Sequence, residues 1–213
     1  MRYKAILFDM DGTLLDTLTD MADAVNHILS VHGWPLRTTE EVRAFVGNGA
    51  RRLMERAVPP EVTDGDFEAV LTEYRDWYQT HNCVATAPYP GIPALLAALA
   101  KAGIKTAVVS NKPDATTKTL AARFFPGLPA FGQRDDVPPK PAPDLVFRAL
   151  ETLGVDAADA IYVGDSEVDV ATARNAGLPL AAVSWGFRGR RALAEAGAAV
   201  IVDAAAELLE VLR

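Results

Sequence analysis

Short apolar runs, each closing on acidic or small polar residues, alternate along this chain with stretches whose apolar side chains recur every three or four positions. Tyr3–Phe8 is the first such run, ending at Asp9 ahead of Gly12, and Lys105–Val109, Ala160–Val163, Leu180–Val183 and Ala199–Val202 repeat the pattern. Runs of this length, polar only within their first two residues, read as strands buried on both faces. Between them, Ile92–Ala102 gathers Leu95, Leu96 and Leu99 on one helical face and stops at Gly103, while Asp144–Leu153 closes at Gly154. Ser166–Ala176, Arg190–Ala196 and the Ala-rich tail Ala204–Arg213 read as further helices. Strands alternating with helices predict right-handed crossovers and an α/β fold with a mostly parallel sheet.

Residues 17–83 break this rhythm. They hold helix-length amphipathic segments (Thr19–Val31, Thr39–Phe45, Ala50–Ala57, Asp66–Thr80) and no convincing buried strand. The expected organisation is a sheet domain of residues 1–16 and 84–213 with a helical insertion, 17–83, after the first strand. Pro88-Tyr89-Pro90-Gly91 is the expected hinge at its exit, and Pro138–Pro143 a stiff loop.

Composition narrows the function classes. Half of the 213 residues are apolar, enough for a sizeable core, and 21 Lys+Arg against 28 Asp+Glu leave a net charge of −7. With no basic stripe, nucleic acid is not expected as a partner. No stretch nears the roughly 18 apolar residues of a membrane helix, and the run after Met1 is not a signal-peptide core, so a soluble, unexported protein is expected. The single cysteine, Cys83, has no internal disulfide partner and fits a reducing cytoplasm.

Four loops carry the candidate chemistry. Asp9 and Asp11, two residues apart just past a strand, repel one another unless a cation or a shared proton lies between them; a turn capped by Asp-Gly is the plainer alternative. Ser110-Asn111-Lys112 follows another strand, and its hydroxyl and N–H groups suit a phosphoryl oxygen as well as they suit the start of a helix. Lys140 is either a solvated lysine or, held by Pro138, Pro139, Pro141 and Pro143, a fixed cation for phosphate. In Gly164-Asp165-Ser166-Glu167-Val168-Asp169, the carboxylates of Asp165 and Asp169 fall one helical turn apart. They offer oxygen ligands of the kind magnesium takes, or a favourable interaction with a helix dipole.

Asp9-Met10-Asp11-Gly12-Thr13, Ser110-Asn111, Lys140-Pro141 and Gly164-Asp165-Ser166-Glu167-Val168-Asp169 together resemble, in order and context, the haloacid dehalogenase-like hydrolase superfamily. The resemblance covers the whole sheet domain and implies a Rossmann-like core with a small α-helical cap inserted after the first strand. Phe45–Ala50, Tyr89-Pro90-Gly91 and Val108–Pro113 are similar to phosphoglycolate phosphatases. By that resemblance Asp9 is the nucleophile, Asp11 the general acid/base, and Ser110 and Lys140 bind the transferring phosphoryl group. Mg2+ is then held by Asp9, the backbone carbonyl of Asp11 and Asp165, with Asp169 supporting the site. The implied activity is that of a phosphoric monoester hydrolase, forming an aspartyl-phosphate and taking 2-phosphoglycolate. Asp11 separates this reading from dehalogenases, which need no acid there.

In the insertion, Gly47-Asn48-Gly49 is expected as a tight loop presenting backbone N–H groups to a substrate carboxylate, with Arg51 or Arg52 nearby as a charge partner, and Asn111 is a further expected substrate contact; a turn followed by an Asn or Gly helix start explains the glycine loop equally well. Other sugar phosphates, nucleotides, pyrophosphate, a beta-phosphoglucomutase-like transfer and a catalytically silent binding protein remain as alternatives. The expected partner is a small phosphorylated metabolite, and the chain a monomer or homodimer.

Overall fold

The computed structural model describes residues 3–212, so Met1, Arg2 and Arg213, the last within the expected terminal helix, lie outside the described residues. Strand β1 is Ala5–Phe8 and the short β2 is Leu15–Asp16; helices α1 (Leu18–Val31), α2 (Thr39–Phe45), α3 (Gly49–Ala57) and α4 (Asp64–His81) follow. The chain returns through β3 (Ala87–Pro88), α5 (Ile92–Lys101), β4 (Lys105–Pro113), α6 (Asp114–Phe124) and β5 (Ala130–Gln133). It ends with α7 (Asp144–Leu153), β6 (Ala160–Gly164), α8 (Glu167–Ala176), β7 (Leu180–Val183), α9 (Gly189–Glu195), β8 (Ile201–Val202) and α10 (Ala205–Val211).

Among the described residues six strands pair, all in parallel, in the order β5-β4-β1-β6-β7-β8. The two-residue alternation of strand side chains builds a core on each face. Ile6 and Phe8 of β1 pack with Leu95 and Leu99 of α5 and Leu208 of α10, whereas Ala5 and Leu7 face Val146 and Ala149 of α7 and Ala173 of α8. This is the Rossmann-like α/β architecture. Helices α1–α4 bury a third cluster of their own, with Val25, Leu29, Leu53, Met54, Leu71 and Tyr74 at its centre.

Two strands join the bundle to the sheet. β2 and β3 pair antiparallel, Leu15 opposite Pro88, and Tyr89 N–H donates to the Leu14 carbonyl at 3.0 Å, so the segment expected as a hinge lies paired with the outgoing chain. Asp20 reinforces this neck: almost wholly buried, its carboxylate accepts from the backbone N–H groups of Val84, Ala85 and Thr86 (3.0, 2.8 and 2.9 Å) and from the Thr86 hydroxyl (2.6 Å).

The sheet holds more than its apolar runs announce. β5 was not expected, because Ala130–Gln133 is a four-residue, half-buried edge strand containing Gly132. β4 runs on to Pro113, which makes Ser110, Asn111 and Lys112 strand residues; α6 opens at Asp114 with no side-chain cap, so neither Ser110 nor Asn111 starts a helix. No helix among the described residues is long and apolar enough to cross a membrane.

Candidate active site

The carboxyl ends of β1, β4 and β6, adjacent at the middle of the sheet, converge beneath the helical bundle, where open parallel sheets bind ligands. Asp9 and Asp11 leave β1, Ser110–Lys112 close β4 and Asp165 follows β6. Gly12 at φ +81° lets the chain turn back over the site, and any Cβ there would lie 2.3 Å from Asp165 Oδ2.

Lys140 is the charge hub. It is buried, contrary to the solvated lysine that its loop alone suggests. Its Nζ reaches Asp9 Oδ1 at 2.9 Å and Asp169 Oδ1 at 2.8 Å, and it donates to the Tyr162 hydroxyl at 3.0 Å. Asn111 fixes the loop: the Lys140 N–H donates to its side-chain oxygen at 2.7 Å, and its amide donates to the Lys140 carbonyl at 3.0 Å and to the Gly47 carbonyl at 3.2 Å. Asp9 Oδ1 also accepts from the Met10 N–H at 2.7 Å, so Oδ2 is the oxygen left without a hydrogen bond among the described residues.

Asp169 is committed elsewhere. One oxygen holds Lys140; the other accepts from the Ser166 hydroxyl (2.6 Å) and N–H (3.1 Å), completing a capping box at the start of α8. Asp165 Oδ2 accepts from the Phe187 N–H at 2.7 Å and Oδ1 from the Thr13 hydroxyl at 3.2 Å. Asp11, at the cavity wall, accepts from the Thr17 hydroxyl at 2.7 Å and pairs with Lys112 at 3.1 Å.

A cavity of about 110 Å³ opens above these groups, lined from the sheet by Asp9, Asp11, Ser110, Lys112 and Lys140 and from the bundle by Val46, Ala50, Leu53, Tyr74, Arg75 and Tyr78. Gly47 and Gly49 line it too, and Gly49, at φ +83°, sits where a Cβ would be 3.3 Å from the Asn111 carbonyl. Two expected contacts are not among the lining residues. The Asn48 side-chain oxygen accepts from Arg56 at 3.2 Å, and Arg51 forks onto Glu68 at 2.6 and 2.8 Å because α3 packs against α4. Beside Lys112 of the expected Ser110-Asn111-Lys112 segment, Tyr78, Arg75 and Arg188 line the cavity without having been expected there. Lys112 Nζ donates to the Tyr78 hydroxyl at 2.9 Å, and Arg188 bonds the carbonyl of Arg43 at 2.8 Å, that of Val46, and Glu167 at 3.0 Å, tying the bundle to the sheet. These residues come from elements far apart in sequence, so no local pattern marks them.

Asp9, Asp165 and Asp169 place one carboxylate oxygen each within 4.8 Å of the others, all buried. Burial raises the Asp9 carboxyl to about 7, with Lys140 opposing and Asp169 and Asp11 adding to the rise. Burial, then Asp169 and Asp9, hold Asp165 well above the ordinary carboxyl range. One lysine facing three buried carboxylates leaves uncompensated negative charge among hard oxygen donors, which fits a divalent cation bound by Asp9 and Asp165. A stability test follows. A carboxyl raised on folding binds protons in the folded state that the unfolded chain has released, so its contribution is lost as pH rises from the ordinary 3.8 towards about 7. In metal-free protein the thermal midpoint is therefore expected to fall between about pH 5 and about pH 7.5, and an added divalent cation to raise it more at the higher pH. Thermal unfolding with and without chelator checks this; a midpoint indifferent to the cation at both pH values would contradict it.

The chain is similar to known proteins in sequence and in fold. The family model for haloacid dehalogenase-like hydrolases matches residues 6–183. The chain is 37% identical over 221 aligned residues to an N-acetylmuramic acid 6-phosphate phosphatase of Pseudomonas aeruginosa, covering 100% of this chain and 96% of that one. It is 35% identical over 211 residues to a phosphoglycolate phosphatase of Pseudomonas savastanoi pv. phaseolicola, covering 94% of this chain and 76% of that one. A crystal structure of a candidate phosphoglycolate phosphatase from Lactobacillus delbrueckii subsp. bulgaricus superposes with a TM-score of 0.94 at 37% identity, covering 100% of this chain and 99% of the other.

Proposed function

The chain belongs to the haloacid dehalogenase-like hydrolases and is a phosphoric monoester hydrolase, and on that premise we propose a magnesium-dependent phosphatase that cleaves 2-phosphoglycolate through an aspartyl-phosphate on Asp9. The observation that carries this reading is Asp9 itself: a buried carboxylate with one oxygen tied to Lys140 and Met10 and the other free, at the floor of a cavity whose wall holds a second carboxylate.

Asp9 Oδ2 attacks phosphorus as the ester P–O bond breaks, and Asp11 gives its proton to the departing alkoxide. Asp11 then takes a proton from the water that attacks the aspartyl-phosphate, releasing phosphate and restoring Asp9. Lys140 and the Ser110 hydroxyl hold the equatorial oxygens while charge redistributes. Asp9, Asp165 and the Asp11 carbonyl would hold a bound magnesium ion, whose charge would offset repulsion between carboxylate and phosphate dianion. Asp169 acts through Lys140, which it orients. The helices of residues 17–83 serve as the cap, with Gly47, Gly49 and Asn111 at the seam where cap and sheet meet over the substrate.

The substrate rests on size and charge. A cavity of about 110 Å³ suits a two-carbon ester better than the larger ligands that fill pockets of about 300 Å³ or more. N-acetylmuramic acid 6-phosphate is the second reading, favoured by a relative that the chain matches over 96% of its length. Both esters carry a carboxylate.

The test is phosphate release from 2-phosphoglycolate, N-acetylmuramic acid 6-phosphate, hexose phosphates, nucleoside monophosphates and pyrophosphate, with and without magnesium. The expected result is magnesium-dependent release with the highest kcat/KM on 2-phosphoglycolate. A higher value on another ester replaces the substrate and keeps the chemistry; an isomerised product with little free phosphate, or no release at all, overturns the phosphatase reading.

A further inference from the structure

The bundle's arginines are almost all spoken for. Arg37 donates to the Ala57 carbonyl at 2.8 Å, Arg43 pairs with Glu40 at 3.3 Å, Arg51 with Glu68 at 2.6 Å and Arg52 with Glu55 at 2.6 Å, and Arg56 donates to the Phe45 carbonyl at 2.8 Å. Arg75 of α4 is different: among the described residues it makes no hydrogen bond and no ion pair, although it lines the cavity between Tyr74 and Tyr78. Its helix offers it none. The positions three and four residues away on either side are Leu71, Thr72, Tyr78 and Gln79, so no acid stands where intrahelical pairing would occur.

The other cations of the cavity wall are occupied: Lys140 by Asp9 and Asp169, Lys112 by Asp11, and Arg188 by backbone carbonyls and Glu167. The bundle's remaining contribution to the wall is largely apolar. A phosphoryl group at Asp9 and Lys140 therefore leaves the organic half of the ester among apolar side chains and one uncommitted guanidinium at the exposed edge. A planar carboxylate is the group that a guanidinium fork recognises in two parallel hydrogen bonds.

We infer that Arg75 is the specificity-determining residue of this site, pairing with a carboxylate on the organic half of the phosphomonoester. The inference rests on the reading of the cavity as the phosphatase site and adds to it the residue that selects acid-bearing esters over neutral ones.

The test compares wild type, Arg75→Ala and Arg75→Lys on 2-phosphoglycolate and on ethyl phosphate, its counterpart without the carboxylate. A hydrogen-bonded charge pair predicts that Arg75→Ala loses about 10- to 100-fold more kcat/KM on 2-phosphoglycolate than on ethyl phosphate, mostly through KM, with partial recovery in Arg75→Lys. Equal losses on the two esters, or none, overturn the assignment and leave the phosphatase reading standing. Calorimetric binding of 2-phosphoglycolate to Asp9→Asn, with and without Arg75→Ala, separates the two claims. Weakened binding on loss of Arg75 upholds the assignment even if the wild type hydrolyses no ester, and unchanged binding overturns it.

Discussion

Replacing Asp9 with Asn is expected to lower kcat by at least ~10⁴-fold while leaving the protein as stable as the wild type or more so. The two effects have one cause. The carboxylate proposed as nucleophile is buried, and burial, with Asp169 and Asp11 close by, lifts its carboxyl to about 7 despite Lys140, so the ionised form needed for attack is the form the fold disfavours. An amide of the same shape keeps an acceptor for the Met10 N–H and for Lys140, removes a buried negative charge and cannot attack phosphorus. The contrast in stability is expected to be larger at pH about 8 than at pH about 6, since the wild-type carboxyl is more fully ionised there. Steady-state phosphate release and thermal unfolding, measured on the same preparations, check both halves.

Replacing Lys140 with Met is expected to damage both properties at once. The ammonium stands against a burial cost that Asp169 and Asp9 more than repay, holding its pKa well above the ordinary lysine value. Without it the two carboxylates, and the Tyr162 hydroxyl, lose their shared donor in a site with almost no solvent contact. Breaking a buried ion pair by removing one partner costs about 3–5 kcal/mol. The Asp9 carboxyl, already raised by burial, loses the charge that opposes the rise, so the deficit is expected to grow as pH rises and to shrink as Asp9 protonates. Turnover is expected to fall by about 10²–10³-fold, the loss typical of one donor to developing transition-state charge. Denaturant unfolding at two pH values and kcat on 2-phosphoglycolate measure these effects; a stable variant at alkaline pH would show that Lys140 does not carry the charge balance of the site.

Lys140 also marks the limit of what the chain alone discloses. Its proline-rich loop reads as solvated surface, and only the placement of Asn111, 29 residues away, together with Asp169 on α8, turns that loop inward. The apolar runs disclose β1, β4, β6 and β7 because central parallel strands are buried on both faces and their composition shows it. The edge strand β5 and the β2–β3 neck lack that signature, being short and half solvated, and exist through pairings with distant segments. The acidic motifs after β1 and β6 were legible for a related reason: a carboxylate just past a buried strand falls at the carboxyl edge of the sheet whatever the loops do.

The bundle side was less legible. Arg51 was the natural candidate beside Gly47-Asn48-Gly49, but α3 lies against α4 so that Glu68 takes it, while Arg75, unremarkable in sequence, is left facing the cavity. Ser110 and Asn111 carried a helix-cap signature that the continuation of β4 to Pro113 removes, and the Asn111 side chain instead joins the Lys140 loop to Gly47 of the bundle. Which residue faces a cavity between two packed layers is set by helix rotation and by competing partners, neither of which a single segment encodes.

The central claim, a phosphoryl group carried on Asp9, is tested most directly by mixing enzyme, magnesium and 2-phosphoglycolate, quenching with acid within a turnover and mapping the modified peptide by mass spectrometry. The account predicts one added phosphoryl group on the peptide that contains Asp9, absent from Asp9→Asn and from samples without substrate. Full hydrolysis by the wild type with no trapped phosphoryl group at any time point, or a phosphoryl group on another residue, would contradict it.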